Sequence, residues 1–113
     1  LMAVASVYSW VLYAMFMIHP ENNIAWRVTE QLKFSSFVEC SKFYNQNTDN
    51  LINGLRDNMI ANFGPVDNGE YTLMELGCVF HNGVEPVVNQ RVPLNTHKSI
   101  EQFLLEDPKK IDT

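Results

Sequence analysis

The chain has 113 residues, with 8 Lys and Arg against 13 Asp and Glu, a formal net charge of −5 and a pI near 5.0. This length holds one domain at most. The acidic balance lacks the cationic excess that nucleic-acid binding draws on, so no nucleic acid is expected as a partner.

The mean hydropathy of −0.13 averages two unlike parts, because every charged residue follows Ile18. Leu1–Ile18 has no charge, proline or glycine, and a run of this length meets the lower end of the roughly 17–25 residues that cross a bilayer's hydrocarbon as a helix. A helix on the surface of a globule would carry charges at every third or fourth place. The segment is therefore read as a transmembrane helix, stopped by His19-Pro20-Glu21-Asn22-Asn23. Wound at 3.6 residues per turn, Val4, Val7, Val11 and Ile18 form a smooth face for lipid tails. Ala5, Ser6, Ser9 and Tyr13 form a small, hydroxyl-bearing face, which predicts a partner helix on that side. Trp10 opposes this reading, since Trp favours the membrane interface and here falls mid-span. The alternative makes the same segment the central helix of a soluble, mostly helical binding protein that encloses a small apolar ligand. A secretory signal peptide would open on a basic stretch that this segment lacks.

Ile24–Phe43 sets Trp26, Val28, Leu32, Phe34, Phe37, Val38 and Phe43 among charged residues at spacings that predict a helix. Asn45–Asp49 is a polar break in which Thr48 or Asp49 can cap the next element. Leu51, Ile52, Leu55, Met59, Ile60 and Phe63 recur at intervals of three and four, an amphipathic helix ending at Gly64-Pro65. After the turn residues Pro65–Gly69, Tyr71–Phe80 is too short and too apolar to separate strand from buried helix. The Asn82-Gly83 pair would join it to Val84–Val92 as a hairpin, against which Pro86 counts. Asn95 or Thr96 caps a short helix through Ile100, Phe103 and Leu104, stopped by Asp107-Pro108. The expected fold is thus mostly α: a transmembrane helix at 1–18, then a soluble helical region at 19–113 with a short β-hairpin and a C-terminal extension.

The residues that carry chemistry are sparse. Cys78-x-x-His81, with Cys40 and His97 elsewhere, has the donor types of a zinc site but only one short-spaced pair where zinc modules show two. A buried Cys78 beside a turn histidine is the plainer reading, and the same two residues as nucleophile and base would still need a third group to orient them. The two cysteines permit one disulfide or none. His19 lies where a haem edge would be ligated, but water and headgroups are its usual neighbours. Trp26, Phe34, Phe37 and Phe43 fit a packed core or a partner contact better than a ligand pocket. The glycines match no phosphate-binding pattern. No catalytic residue, cofactor or metal site is expected. None of the twelve asparagines starts a glycosylation sequon. These features predict a non-catalytic, single-pass accessory subunit of a larger membrane complex, with the mitochondrial inner membrane as the favoured location and an energy-transducing assembly as the favoured partner.

Overall fold

The computed structural model describes residues 8–104. Its elements run β1 (Ser9–Ile18), β2 (Asn23–Phe34), α1 (Phe37–Gln46), α2 (Thr48–Phe63), β3 (Tyr71–His81), β4 (Pro86–Pro93) and α3 (His97–Leu104). The strands form one antiparallel sheet in the order β2-β1-β3-β4.

The first correction concerns the N-terminal apolar run. Within the described residues it is the inner strand β1, paired to β2 on one edge and β3 on the other. Alternate side chains enter two apolar clusters. Leu12, Ala14 and Phe16 pack with the helices; Val11, Tyr13 and Met15 pack with Val79 on the other face, beside Trp26 and Val28. A strand buried on both faces reads as a continuous apolar run, because no position meets water. That requirement, rather than lipid, accounts for the missing charges from Val11 to Phe16. No helix among the described residues is long and apolar enough to cross a membrane, so the transmembrane helix, the single-pass topology and the inner-membrane location that followed from it do not stand. Ala5 and Ser6 lie outside the described residues. Ser9 and Tyr13 share a strand face and are buried, not displayed on a helix.

The mostly α fold class is corrected with it. The helix expected over Ile24–Phe43 is instead β2, a two-residue link and α1. Ser36 caps α1: its Oγ accepts the Glu39 N–H at 3.1 Å, while Glu39 Oε1 accepts the Ser35 hydroxyl at 2.9 Å. A serine three residues before a glutamate is the pattern that starts a helix, so the chain is told to begin one at Phe37. Asn47 ends α1, its N–H donating to Phe43 O at 3.0 Å. The amphipathic α2 follows and stops at Gly64, whose N–H donates to Ile60 O at 2.8 Å and whose φ of 92° suits glycine. Tyr71–Phe80, left open between strand and helix, falls within β3. β3 pairs with β4 through a connection that Asn82 organises, its Oδ1 accepting the N–H groups of Val84 and Glu85.

The helices are fastened to one sheet face. A disulfide between Cys40 and Cys78 bolts α1 to β3, with both residues fully buried. Phe103 of α3 enters the same cluster, in tilted contact with Phe16 and edge contact with Tyr71. Buried Arg56 of α2 donates from Nη1 to Gln102 O at 3.1 Å, placing a cation at the C-terminal end of α3. At Gly77 the two inner strands and β4 come close. A Cβ there would fall inside van der Waals distance of the Val92 carbonyl and 2.9 Å from Pro93 Cα.

Two stability outcomes follow. Replacing Gly77 by Ala forces β4 from β3 and is expected to cost about 1–3 kcal/mol, the usual range for overpacking, read as a lowered urea midpoint. Removing the disulfide by the paired Cys40→Ala and Cys78→Ala changes releases a cross-link spanning 38 positions. Chain entropy then puts the loss at about 4 kcal/mol, measured by comparing urea unfolding of the two forms.

Candidate functional site

The helix-facing side of β2 is where the packing is incomplete. Ala14 and Leu12 of β1 stand opposite Arg27 and Thr29 of β2, so these two polar residues occupy inward positions, while Trp26 and Val28 turn to the other face. On a sheet sealed by a helix those inward places would be apolar. Between them and α2 a cleft remains.

Its inner end is about 80 Å³, lined by Leu12, Ala14, Tyr44, Leu51, Leu55, Leu76 and Gly77 together with Arg27 and Thr29. It opens into an outer part of about 400 Å³, bordered by Arg27, Val28 and Thr29 on β2 and by Asn50, Leu51, Gly54, Leu55 and Asn58 on α2. The two parts share Arg27, Thr29, Leu51 and Leu55 and form one groove, apolar at depth and polar at its lip. Gly54 sits on the lip, with nothing within 4 Å of an added Cβ. The Arg27 guanidinium lies over the Phe63 ring, 5.7 Å from its centroid, a cation–π contact that directs the side chain along α2. Tyr44 lines the inner end and is buried. Its hydroxyl has no hydrogen-bond partner among the described residues, and burial pushes its pKa up, with Ser99 pulling the other way. Ser99 commits its own hydroxyl to Thr96 O at 2.8 Å.

The opposite sheet face holds two polar groupings. Tyr13 donates to Glu75 Oε1 at 2.7 Å, Arg91 Nε donates to the same oxygen at 2.9 Å, and the Arg91 guanidinium lies over Trp26. Burial pushes the Tyr13 phenol up, reinforced by the Glu75 carboxylate that it bonds. Partial burial acts to raise Glu75, but the hydrogen bonds from Arg91 and Tyr13 outweigh it and hold the carboxyl below its usual range. All three polar groups are satisfied, so the cluster pins β1, β3 and β4 together and leaves no free group to act on a substrate.

The second grouping is Ser9, His81 and Glu30. Ser9 and His81 are cross-strand partners, 4% and 2% exposed, and the Ser9 hydroxyl and His81 Nε2 lack hydrogen-bond partners among the described residues. Glu30 Oε1 stands 3.6 Å from Nε2, beyond hydrogen-bond length. His81 Nδ1 accepts the Gly83 N–H at 3.1 Å, which sets the proton of the neutral ring on Nε2. A general base facing a serine would present a bare nitrogen to it and have its other nitrogen oriented by a carboxylate. Here the carboxylate is on the Nε2 side and a backbone N–H occupies Nδ1, so the trio is not a nucleophile relay.

The residues singled out from sequence are dispersed. Cys40 and Cys78 have spent both thiols on each other, so neither is a thiolate ligand for zinc beside His81. His97 is on the exposed side of α3, 3.4 Å from Glu101. Both ring nitrogens of His19 are engaged, Nδ1 with Asn22 Oδ1 and Nε2 with Thr72 Oγ1, each at 2.8 Å, which leaves neither for a haem. Trp26 faces away from the helices; Phe34, Phe37 and Phe43 pack against the main core. Arg27 and Thr29 were missed because a helical reading gives β2 no inward side. Read with the two-residue period of a strand, they alternate with Trp26 and Val28, and that is the signal they carry.

The Glu75 grouping sets an acid limit on stability. A carboxyl held low in the folded state adds stability that is complete above its unfolded pKa of about 4.3 and is lost as pH falls through the folded value. The urea midpoint is expected to hold from pH 7 to 5 and to drop below about pH 4. In Glu75→Gln it should start lower at neutral pH and fall less steeply on acidification. Parallel acid limbs in the two proteins would refute the assignment.

Comparison with protein-family models, with curated proteins and with solved structures finds no match to this chain.

Proposed function

We propose that this is a non-catalytic binding protein that takes a small, largely apolar ligand into the cleft between β2 and α2. The observation that carries the reading is the pair Arg27 and Thr29 at inward positions on β2, opposite α2, beside a floor of Leu12, Ala14 and Leu76. A concave site with an apolar interior and a few convergent polar groups is the usual form of a small-molecule site, and the outer part lies within the usual range of about 300–1,000 Å³. The satisfied Tyr13–Glu75–Arg91 cluster and the misdirected His81 offer no competing catalytic centre. The accessory-subunit role loses its main support with the membrane helix. The buried Cys40–Cys78 disulfide instead favours an oxidising compartment, where such a bond persists.

Gly54 provides the test, because it borders the cleft, is exposed and is helical. A side chain there costs no packing, and replacing a helical glycine gains up to about 1 kcal/mol of propensity. Wild type is expected to bind the neutral fluorophore N-phenyl-1-naphthylamine and to release it on adding octan-1-ol. Gly54→Trp should weaken the fluorophore at least tenfold with its thermal midpoint unchanged or raised. Equal binding by both proteins would remove the cleft as the site.

A further inference from the structure

Resting on that reading, we infer that the cleft selects an anionic amphiphile, a carboxylate on an apolar tail, and that Arg27 is the residue that recognises the head.

The chain carries 13 acidic residues and a net charge of −5, yet no acidic side chain lines either part of the cleft, and its one charged lining residue is a cation. Among the described residues Arg27 has no carboxylate within salt-bridge distance, whereas Arg91 on the opposite face is paired with Glu75. An exposed arginine on a protein of opposite net charge, with its neighbours restricted to uncharged groups, keeps its donors available. Its planar fork suits a carboxylate better than any neutral head. The Phe63 ring beneath the guanidinium limits its swing and so reduces the rotamer freedom lost on binding.

Register then fixes where head and tail go. Arg27 is the cross-strand partner of Ala14, the small residue of the inner floor, so its backbone lies beside the deep end while its long side chain reaches the lip. A ligand whose head meets the guanidinium has its tail directed over Ala14 toward Leu12 and Leu76. The inner part takes the end of the tail, and the outer part takes the rest. Thr29, Asn50 and Asn58 complete the lip with a hydroxyl and two amides, donors to the carboxylate oxygen that Arg27 does not take.

The experiment compares octanoate, octan-1-ol and octylamine by displacement of N-phenyl-1-naphthylamine from wild type, Arg27→Gln and Arg27→Lys. Wild type is expected to prefer octanoate over octan-1-ol at least tenfold, a preference that shrinks as salt is raised. Arg27→Gln should abolish the preference, weakening octanoate at least tenfold more than it weakens octan-1-ol. Arg27→Lys should restore part of it. Because Arg27 is exposed on an edge strand, both variants are expected to keep the wild-type thermal midpoint, which reports an intact fold. Equal binding of octanoate and octan-1-ol by wild type, or a preference for octylamine, overturns the anion inference and leaves the binding function in place. Failure of wild type to bind the fluorophore or any of the three compounds overturns both.

Discussion

Strand β1 is hydrogen-bonded along both edges, to β2 and to β3, and is buried on both faces, so that both apolar clusters are built on it. Its even-numbered residues Leu12, Ala14 and Phe16 make the surface on which the helices rest; its odd-numbered residues Val11, Tyr13 and Met15 anchor the opposite face. In a chain of this size the apolar area available for burial is small, so a strand that buries both faces contributes about twice what a strand with one wet face can. A charge anywhere from Val11 to Phe16 would be desolvated without a partner, at a cost of several kcal/mol. The uncharged run is the sequence's answer to that constraint.

The helices meet this surface unequally. α1 is fixed by the disulfide to β3, and α3 by Phe103 in the core and by the Asn95 side chain, which accepts the Leu76 N–H at 3.0 Å. α2 is held by a stripe of Ile52, Arg56 and Met59, buried toward the core and α3. The next stripe round the helix, Leu51 and Leu55, is only half-buried and forms the wall of the cleft. The opening thus arises because α2 is anchored through one side to α3, while the strand it would otherwise cover presents Arg27 and Thr29.

How much of this could be read from sequence depends on which elements had a period to show. α2 could be read to within a few residues, because its apolar residues repeat at three and four and Gly64-Pro65 ends them. α3 was likewise legible through Thr96 and the spacing of Ile100 and Phe103. β1 was not, since an apolar run has no polar face to betray a period of two or of 3.6. Its enrichment in Trp10, Val11, Tyr13, Phe16 and Ile18 is the composition of a strand, and Trp10, out of place at the centre of a lipid span, packs in edge contacts with Phe37 and Phe80. The boundary between β2 and α1 was written in Ser36 and Glu39, but a charge pattern continuous across it masked the cap. The cleft itself could not be read: the apolar stripe of α2 is broad enough for core and wall together, and only the tertiary arrangement divides Ile52 and Met59 from Leu51 and Leu55.

That division bears on how the cleft could work. Its floor belongs to the best-buried strand, beside the disulfide, and its wall to a helix locked at Gly64 by a backbone hydrogen bond and at Arg56 by a bond to α3. A ligand entering such a site would order few groups that are not already ordered, and the entropy of ordering is a main cost of binding. The groups left to adjust are at the lip, where Arg27, Asn50 and Asn58 are exposed. Affinity would then come from the fixed apolar interior through burial of the tail, at about 25 cal/mol per Å². Selectivity would come from the polar lip, where a carboxylate gains charge-assisted hydrogen bonds from the guanidinium that a neutral head does not. Because the buried tail contributes alike for ligands of one chain length, the choice among them falls on the head.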